Sequence, residues 1–582
     1  MTTVEREADA RAATGHDPGA DHRRRFHLGA RGRDVLALAI LAAALLVPLW
    51  GLLRRPGPVM EEGFMLVFPE RLLAGAVPNV DFLHLYGPGS LWVLAAVYKL
   101  LGTNLVVERL FGLLQQAGVV LGVYLLARRW GRRVGLTSAL LSLIIMLPPL
   151  GLSALAWPGG AALAVLGTVA ALAAREATDD RRGRLLAVLS GVLLGGALLY
   201  RLDLVLAVGL MLGASIWKAP RRRLVPLAVA LVATTALYLG QFAVAGFGPA
   251  FRGMVIDPVF HLRGGRGLPI PPPWDHYDSF LQYAGDSRLL PWPVGTLRGP
   301  HQLFLWFFAL LASVAFLLFV AVRSLRRHRG APRSRALLAV TMFSVGILPQ
   351  TLQRPDSTHI AWVAWLPMAF LPVAILELLR DPPRGARPMR LGPAQFIACL
   401  VPVLGFVLVL PNFTVQRYVD FAAQTFGQHR YSYAIERDGR TFYYGNAEVA
   451  TAGQQAVDLV SKISRPGERL FVGTGDLRKT PYSDAWLYYL FPELVPGTYY
   501  IEMDPGMANA KGSGLAREVG KSDVVVLSTV WDDWNEPNDS RVFGPDAPNQ
   551  VLRKKFCLAG DFSGYFRVYQ RCARGSPAPA SS

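Results

Sequence analysis

Charge is scarce in this chain. Only 17% of its 582 residues are Asp, Glu, Lys or Arg, against about 25% in an ordinary soluble domain. The charge falls in short runs, and apolar stretches of roughly 15–24 residues lie between them. A bilayer span takes about 20 residues, so most of the chain is excluded from the soluble class. Cysteine is nearly absent too, with three residues. Cys399 lies in an apolar segment and reads as a packing residue. Cys557 and Cys572 lie in the tail, where a disulfide is an open alternative. There is no Walker loop, no GxGxxG after a strand, no CxxC pair, no HExxH and no GxSxG. Nucleotide hydrolysis, zinc proteolysis and serine hydrolysis therefore have no support. No internal repeat is visible. The first apolar run begins near Asp34 without a small-residue cleavage site, so it is expected to remain as a helix.

The charge present is lopsided, with 60 Lys and Arg against 41 Asp and Glu, a net +19. On a soluble protein this would suggest nucleic acid. Here the arginines sit between apolar segments, as the positive-inside rule expects, so the partner is membrane lipid and not nucleic acid.

Eleven spans satisfy that rule, at about 35–53, 105–127, 135–150, 159–174, 185–199, 204–217, 224–244, 302–322, 336–351, 360–379 and 393–410. The scheme requires 87–102, apolar but only 16 residues long and containing Lys99, to be a juxtamembrane or re-entrant helix. If it spanned, every later Arg-rich loop would be inverted. The expected organisation is a polytopic α-helical membrane protein of about eleven helices. Residues 1–33 form a disordered cytoplasmic tail and 34–410 a transmembrane domain with external loops at 54–104 and 245–301. Residues 411–582 form an extracytoplasmic domain. In that tail ERLFVGTG and DVVVLST read as buried strands and 446–463 as a helix, hence a small α/β domain.

Every loop rich in acids, His and aromatics then falls on the outer side. Glu61 and Glu62 follow the first helix, and adjacent carboxylates at a membrane surface suit a general base and a substrate-orienting group. Asp81, His84 and Tyr86 lie within six residues, before a Gly-Pro-Gly turn. Arg201 and Asp203 break two apolar segments, and Arg109 begins another beside Glu108. An interfacial Arg suits a lipid phosphate. Arg354, Asp356 and His359 form a further cluster. Asp275, His276 and Asp278 in the long loop are weak metal-ligand candidates, since nothing fixes a coordination geometry. Each group also has a plain reading as a solvated turn or an interfacial ion pair.

The order of these features resembles the GT-C membrane glycosyltransferases that use polyprenyl-phosphate sugars, among them protein O-mannosyltransferases and aminoarabinose transferases. The resemblance rests on EEGFML, ERLLAGAVPNVDFLHLYGPGSLW, KLLGTNLVVERLFG, ARRWGRR and Arg-Leu-Asp, over roughly residues 34–360. It implies that Glu61 or Glu62 acts as base, with Glu61 where the family has Asp, and that Arg109 and Arg201 suit the donor phosphate. Beside these, the polar clusters on the same outer face make Asp81, His84, Tyr86, Asp203, Arg354, Asp356 and His359 the expected substrate-binding residues. The implied reaction is direct displacement of polyprenyl phosphate by an acceptor hydroxyl on a glycan, lipid or protein, with a divalent cation as a candidate cofactor. A flippase for lipid-linked glycans or an inactive envelope scaffold are the alternatives. Transporters often carry inverted repeats, which are not visible here.

Overall fold

The structure, a computed structural model, describes residues 30–286, 290–382, 387–427 and 431–572. The tail expected over 1–33 lies largely outside the described residues. Among these, nine helices are long and apolar enough to cross a membrane: Gly32–Leu53, Leu105–Trp130, Arg132–Leu150, Ala156–Glu176, Asp180–Tyr200, Arg221–Ala245, Gly299–Arg327, Pro332–Gln353 and Leu391–Leu408. The chain is a multi-pass membrane protein.

Two of the eleven expected spans differ. The segment expected at 204–217 is a helix of only 12 residues, Val205–Ile216. It starts from the Arg201–Asp203 break and ends before Lys218, whose φ is +58°. The segment expected at 360–379 is split into Ser357–Ala364 and Leu371–Arg380. Pro367 and Pro372 each remove a backbone donor there, which breaks a continuous helix. Gly89–Leu101 has 13 residues and is about 20 Å long, too short to span. Both its flanks lie at one end of the bundle. Gly89 abuts Leu199 near the end of one long helix, and Gly102 leads directly into the start of Leu105–Trp130.

The bundle has two unlike ends. At one, the basic loops are tied by ion pairs: Arg132–Asp34 at 2.5 Å, Arg129–Glu176 at 2.6 Å, Arg222–Asp180 at 3.0 Å, and Arg327–Asp381. At the other sits the C-terminal domain. After Pro411 the chain first lays Val415–Thr425 along the end of the first helix, where Tyr418 donates to the Ala44 carbonyl at 2.6 Å. A hairpin of β1 (Tyr433–Arg437) and β2 (Arg440–Tyr444) follows. Helix Ala447–Ile463 comes next, capped by the Asn446 side chain.

The main sheet has the order β4-β3-β5-β7-β6, with β3 Arg469–Thr474, β4 Val495–Pro496, β5 Val524–Ser528, β6 Phe556–Phe562 and β7 Phe566–Arg571. β4, β3 and β5 are parallel, while β7 and β6 are antiparallel. The expected strands are β3 and β5, whose apolar runs are buried as a parallel core requires. Cys557 and Cys572 form a disulfide between β6 and the end of β7.

From β3 the chain goes to β4 on one side and then to β5 on the other. The carboxyl ends of β3 and β5 therefore form a topological switch point, where open α/β sheets place their ligand crevice. The loops leaving those ends reach the membrane bundle. Tyr482 meets Glu61, Glu536 meets Arg354, and Asp504, from beyond β4, meets Arg266. The loops from this sheet edge thus roof the bundle.

Candidate active site

The helix Val59–Leu73 begins after Pro58 and carries Glu61 and Glu62 in its first turn. Unpaired N–H groups there favour carboxylates. Successive helical side chains point about 100° apart, and the two acids part company. Glu62 turns inward, 1% exposed, and takes two hydrogen bonds from Arg109, Nε to Oε1 at 2.7 Å and Nη2 to Oε2 at 2.6 Å. Arg109 Nη1 donates to the Leu52 carbonyl at 2.9 Å. Gly57 is needed here, since a Cβ on it would lie 2.3 Å from Glu62 Oε2. Glu61 turns toward the C-terminal domain and accepts from the Tyr482 hydroxyl at 2.5 Å. Burial pushes its carboxyl above the usual range.

Glu62, Arg109 and Tyr482 line a cavity of about 630 Å³ between the bundle end and the roof. Its floor includes the turn Leu150–Leu152, pinned by Glu108, which accepts from the Ala154 N–H at 2.5 Å. Arg55 and Arg417 are also on the wall. The Arg55 guanidinium lies 4.2 Å from the Phe421 ring centroid, and its buried Nη1 has no hydrogen-bond partner among the described residues. Burial, with Arg417 and Arg109 nearby, holds the Arg55 guanidinium well below its ordinary value. Burial pushes that of Arg417 down to about 10. Three guanidinium groups and one carboxylate make the cavity a host for anions.

The remaining expected residues fall into separate places. Asp81 is exposed and accepts from the Val77 N–H at 2.7 Å. His84 is buried against Phe68 and Tyr86, its imidazole pushed down to about 4 by burial, hence neutral. Arg201 holds Asp203 with two bonds of 2.9 and 2.5 Å and sits among the rings of Tyr86, Trp157 and Trp362, at 4.6 to 5.6 Å. Arg354 bridges Asp356 and Glu536, and Asp356 caps the next helix through the His359 N–H at 2.9 Å. Burial opposes ionisation of Asp356, yet His359 and Arg354 together hold it well below the usual carboxylate range.

The two clusters share Trp362, which also meets the His359 ring at 4.9 Å. They reach the cavity only through Ser357 and Thr358. His276 bonds Asp275 at 2.8 Å, with Asp278 at 3.5 Å. Among the described residues no three His, Cys, Asp or Glu are grouped to hold a metal ion.

Sequence reasoning passed over Arg55, Arg417, Tyr482, Phe280 and Trp531. Arg55 and Arg417 carried a signal, since both are basic residues at the end of the bundle where the charge rule disfavours them.

No family model matches the chain, and no curated protein does. Among solved structures, apo ArnT from Cupriavidus metallidurans is similar over 93% of this chain and 98% of its own, at 15% identity and TM-score 0.51. ArnT from Cupriavidus metallidurans bound to undecaprenyl phosphate matches 94% of this chain and 99% of its own at 15% identity and TM-score 0.48. The Archaeoglobus fulgidus oligosaccharyltransferase in complex with Zn and sulfate matches 89% of this chain and 71% of its own at 13% identity and TM-score 0.43. The chain therefore has the GT-C fold expected from its sequence.

Proposed function

We propose that the protein is a membrane glycosyltransferase that moves a sugar from a polyprenyl-phosphate donor to an acceptor hydroxyl, on the outer face of the cytoplasmic membrane. The observation that carries this reading is the cavity at the head of the bundle, with one carboxylate, three guanidinium groups and an Arg55 donor unpartnered among the described residues. Such a cavity suits the phosphate of a lipid that enters from the bilayer. ArnT, whose fold it shares, has been seen with undecaprenyl phosphate.

In this mechanism Arg55, with Arg417, binds the phosphate and stabilises the charge that develops as it leaves. The acceptor oxygen forms the new bond to the anomeric carbon while the carbon–phosphate-oxygen bond breaks. Glu62 takes the acceptor proton. Arg109 holds Glu62 in place, and is thus a positioning residue. Its donors go to Glu62 and the Leu52 carbonyl, which moves the phosphate role to Arg55. The donor set does not fit a divalent cation, because the one carboxylate in the cavity is held at both oxygens by Arg109. No step is routed through a metal.

The test is purified protein in vesicles with a panel of polyprenyl-phosphate sugars, scored by release of polyprenyl phosphate. Glu62→Gln is expected to lower turnover by about 10²-fold or more, the usual worth of a general base. Arg55→Ala is expected to raise the donor KM. Unchanged turnover in Glu62→Gln would remove Glu62 as base. No release with any donor would move the weight to a flippase.

A further inference from the structure

The roof of the cavity is aromatic. Tyr482 and Trp531 belong to the loops after β3 and β5, and their ring centroids are 4.5 Å apart. Trp534 lies 4.9 Å from Tyr482. Phe280, on a short helix of the long loop, closes the group at 5.2 Å from Trp531 and 5.3 Å from Trp534. These rings are fixed in place. The Trp531 indole N–H donates to Asp484 Oδ2 at 3.0 Å, while Trp486 donates to Oδ1 of the same carboxylate at 2.8 Å. Asp484 is 1% exposed.

Tyr482, Trp531 and Trp534 are buried and form the backing, while Phe280 is 41% exposed and Tyr283, beside it on the cavity wall, 61%. The same cavity presents neutral hydrogen-bonding groups, Asn446, Gln424, Ser357 and Thr358. Among the described residues its charged groups are Glu62 and the three arginines already assigned. Ring faces beside amides and hydroxyls match a polyol with one apolar face. The negative face of an aromatic ring attracts the sugar's C–H groups, and a few fixed polar groups read its hydroxyls.

We infer that the acceptor is a saccharide chain, and that the C-terminal domain is the unit that recognises it. Its terminal sugar packs against the platform of exposed rings, Phe280 and Tyr283, which the buried Trp531 and Tyr482 hold from behind, and presents a hydroxyl toward Glu62. This rests on the transferase reading above and names the acceptor class for the same cavity.

The experiment uses the full chain in nanodiscs, with octyl-tagged hexose and pentose disaccharides as probes. A threonine-containing peptide and a diacylglycerol are the competing acceptors. Saturation-transfer NMR, without donor, is expected to show contact between a disaccharide and the protein. That contact should fall in Phe280→Ala and Tyr283→Ala and persist in the control Trp274→Ala. In transfer assays the disaccharide KM should rise about tenfold in Phe280→Ala, the size expected when an aromatic anchor is lost, with the donor KM unchanged. Tyr283→Ala removes an exposed ring of the cavity wall and leaves the packed roof intact. Transfer to the peptide or the diacylglycerol, unaffected by either variant, would overturn the inference and leave the transferase standing. A raised donor KM alone would also overturn it, by giving the rings to the donor sugar. Saccharide contact with no donor cleavage would keep the platform and sink the transferase.

Discussion

The two ends of the bundle use the same residue pairs to opposite purposes. At the basic end Arg222 and Asp180 are 62% and 54% exposed, and such pairs contribute about 0–1 kcal/mol. At the roofed end Arg109–Glu62 and Arg354–Glu536 are at most 6% exposed and doubly bonded. Buried charges are costly to leave alone, so these pairs are committed: each fixes one element against another. The first joins two helices below the cavity, and the second fastens the roof. Arg440–Glu70 and Arg266–Asp504 fasten the roof as well. Charge at one end says where the loops lie, and at the other it builds a site.

The sharpest way to break this comparison is to remove one guanidinium from each end. Arg109→Met leaves the buried Glu62 without its partner, and is expected to cost about 3–5 kcal/mol. Arg354→Met is expected to cost a similar amount and, in addition, to loosen the roof, read as faster proteolysis within 245–301. Arg222→Met is expected to cost no more than about 1 kcal/mol. Thermal unfolding of the three variants in one detergent gives the ranking. Equal losses at both ends would mean that the buried pairs carry no special commitment.

The periodicity and charge of the sequence were enough for the bundle, because lipid demands helices and anionic head groups sort the arginines. They also sufficed for β3, β5 and the Asn446-capped helix, each a buried or capped local pattern. The short and broken helices were misjudged because hydropathy does not weigh a proline pair such as Pro367 and Pro372. The site was half legible. Glu61 and Glu62 stood out as a pair, but which of them faces the cavity depends on the helix phase set by Pro58. Tyr482, Trp531 and Glu536 come from more than 400 residues further along the chain than Glu61, in roof loops whose destination is a tertiary fact. Arg201 and Arg109 looked like free phosphate ligands because their partners, Asp203 and Glu62, are ordinary neighbours in sequence or fold.

A smaller effect lies in pH. Burial raises the Glu61 carboxyl, so the folded state favours its protonated form. Its contribution is full below the unfolded value of about 4.3 and is lost as pH rises through the higher folded value. Burial also works against ionised Glu536, but Arg354 outweighs it and the net shift is downward. That contribution is present above about 4.3 and is lost as pH falls through the lower folded value. The stability of the wild type relative to Glu61→Gln should therefore fall with rising pH, while that relative to Glu536→Gln should rise. Parallel curves would show that the two carboxyls do not differ as their surroundings require.

The gentlest test leaves stability and activity alone and asks only which side each end faces. Thr178 is exposed at the basic end and Lys511 in the C-terminal domain. The only cysteine outside the disulfide is half-buried, so introduced thiols report cleanly. A membrane-impermeant maleimide added to intact cells is expected to label Lys511→Cys, with Thr178→Cys reacting only after permeabilisation. Asp81→Cys and Thr103→Cys flank the 13-residue helix Gly89–Leu101 and should both label with Lys511→Cys. Opposite labelling of these two would make that helix a span and invert every loop after it. The arginines at the basic end would then face outward, and their separation from the cavity would lose its topological meaning.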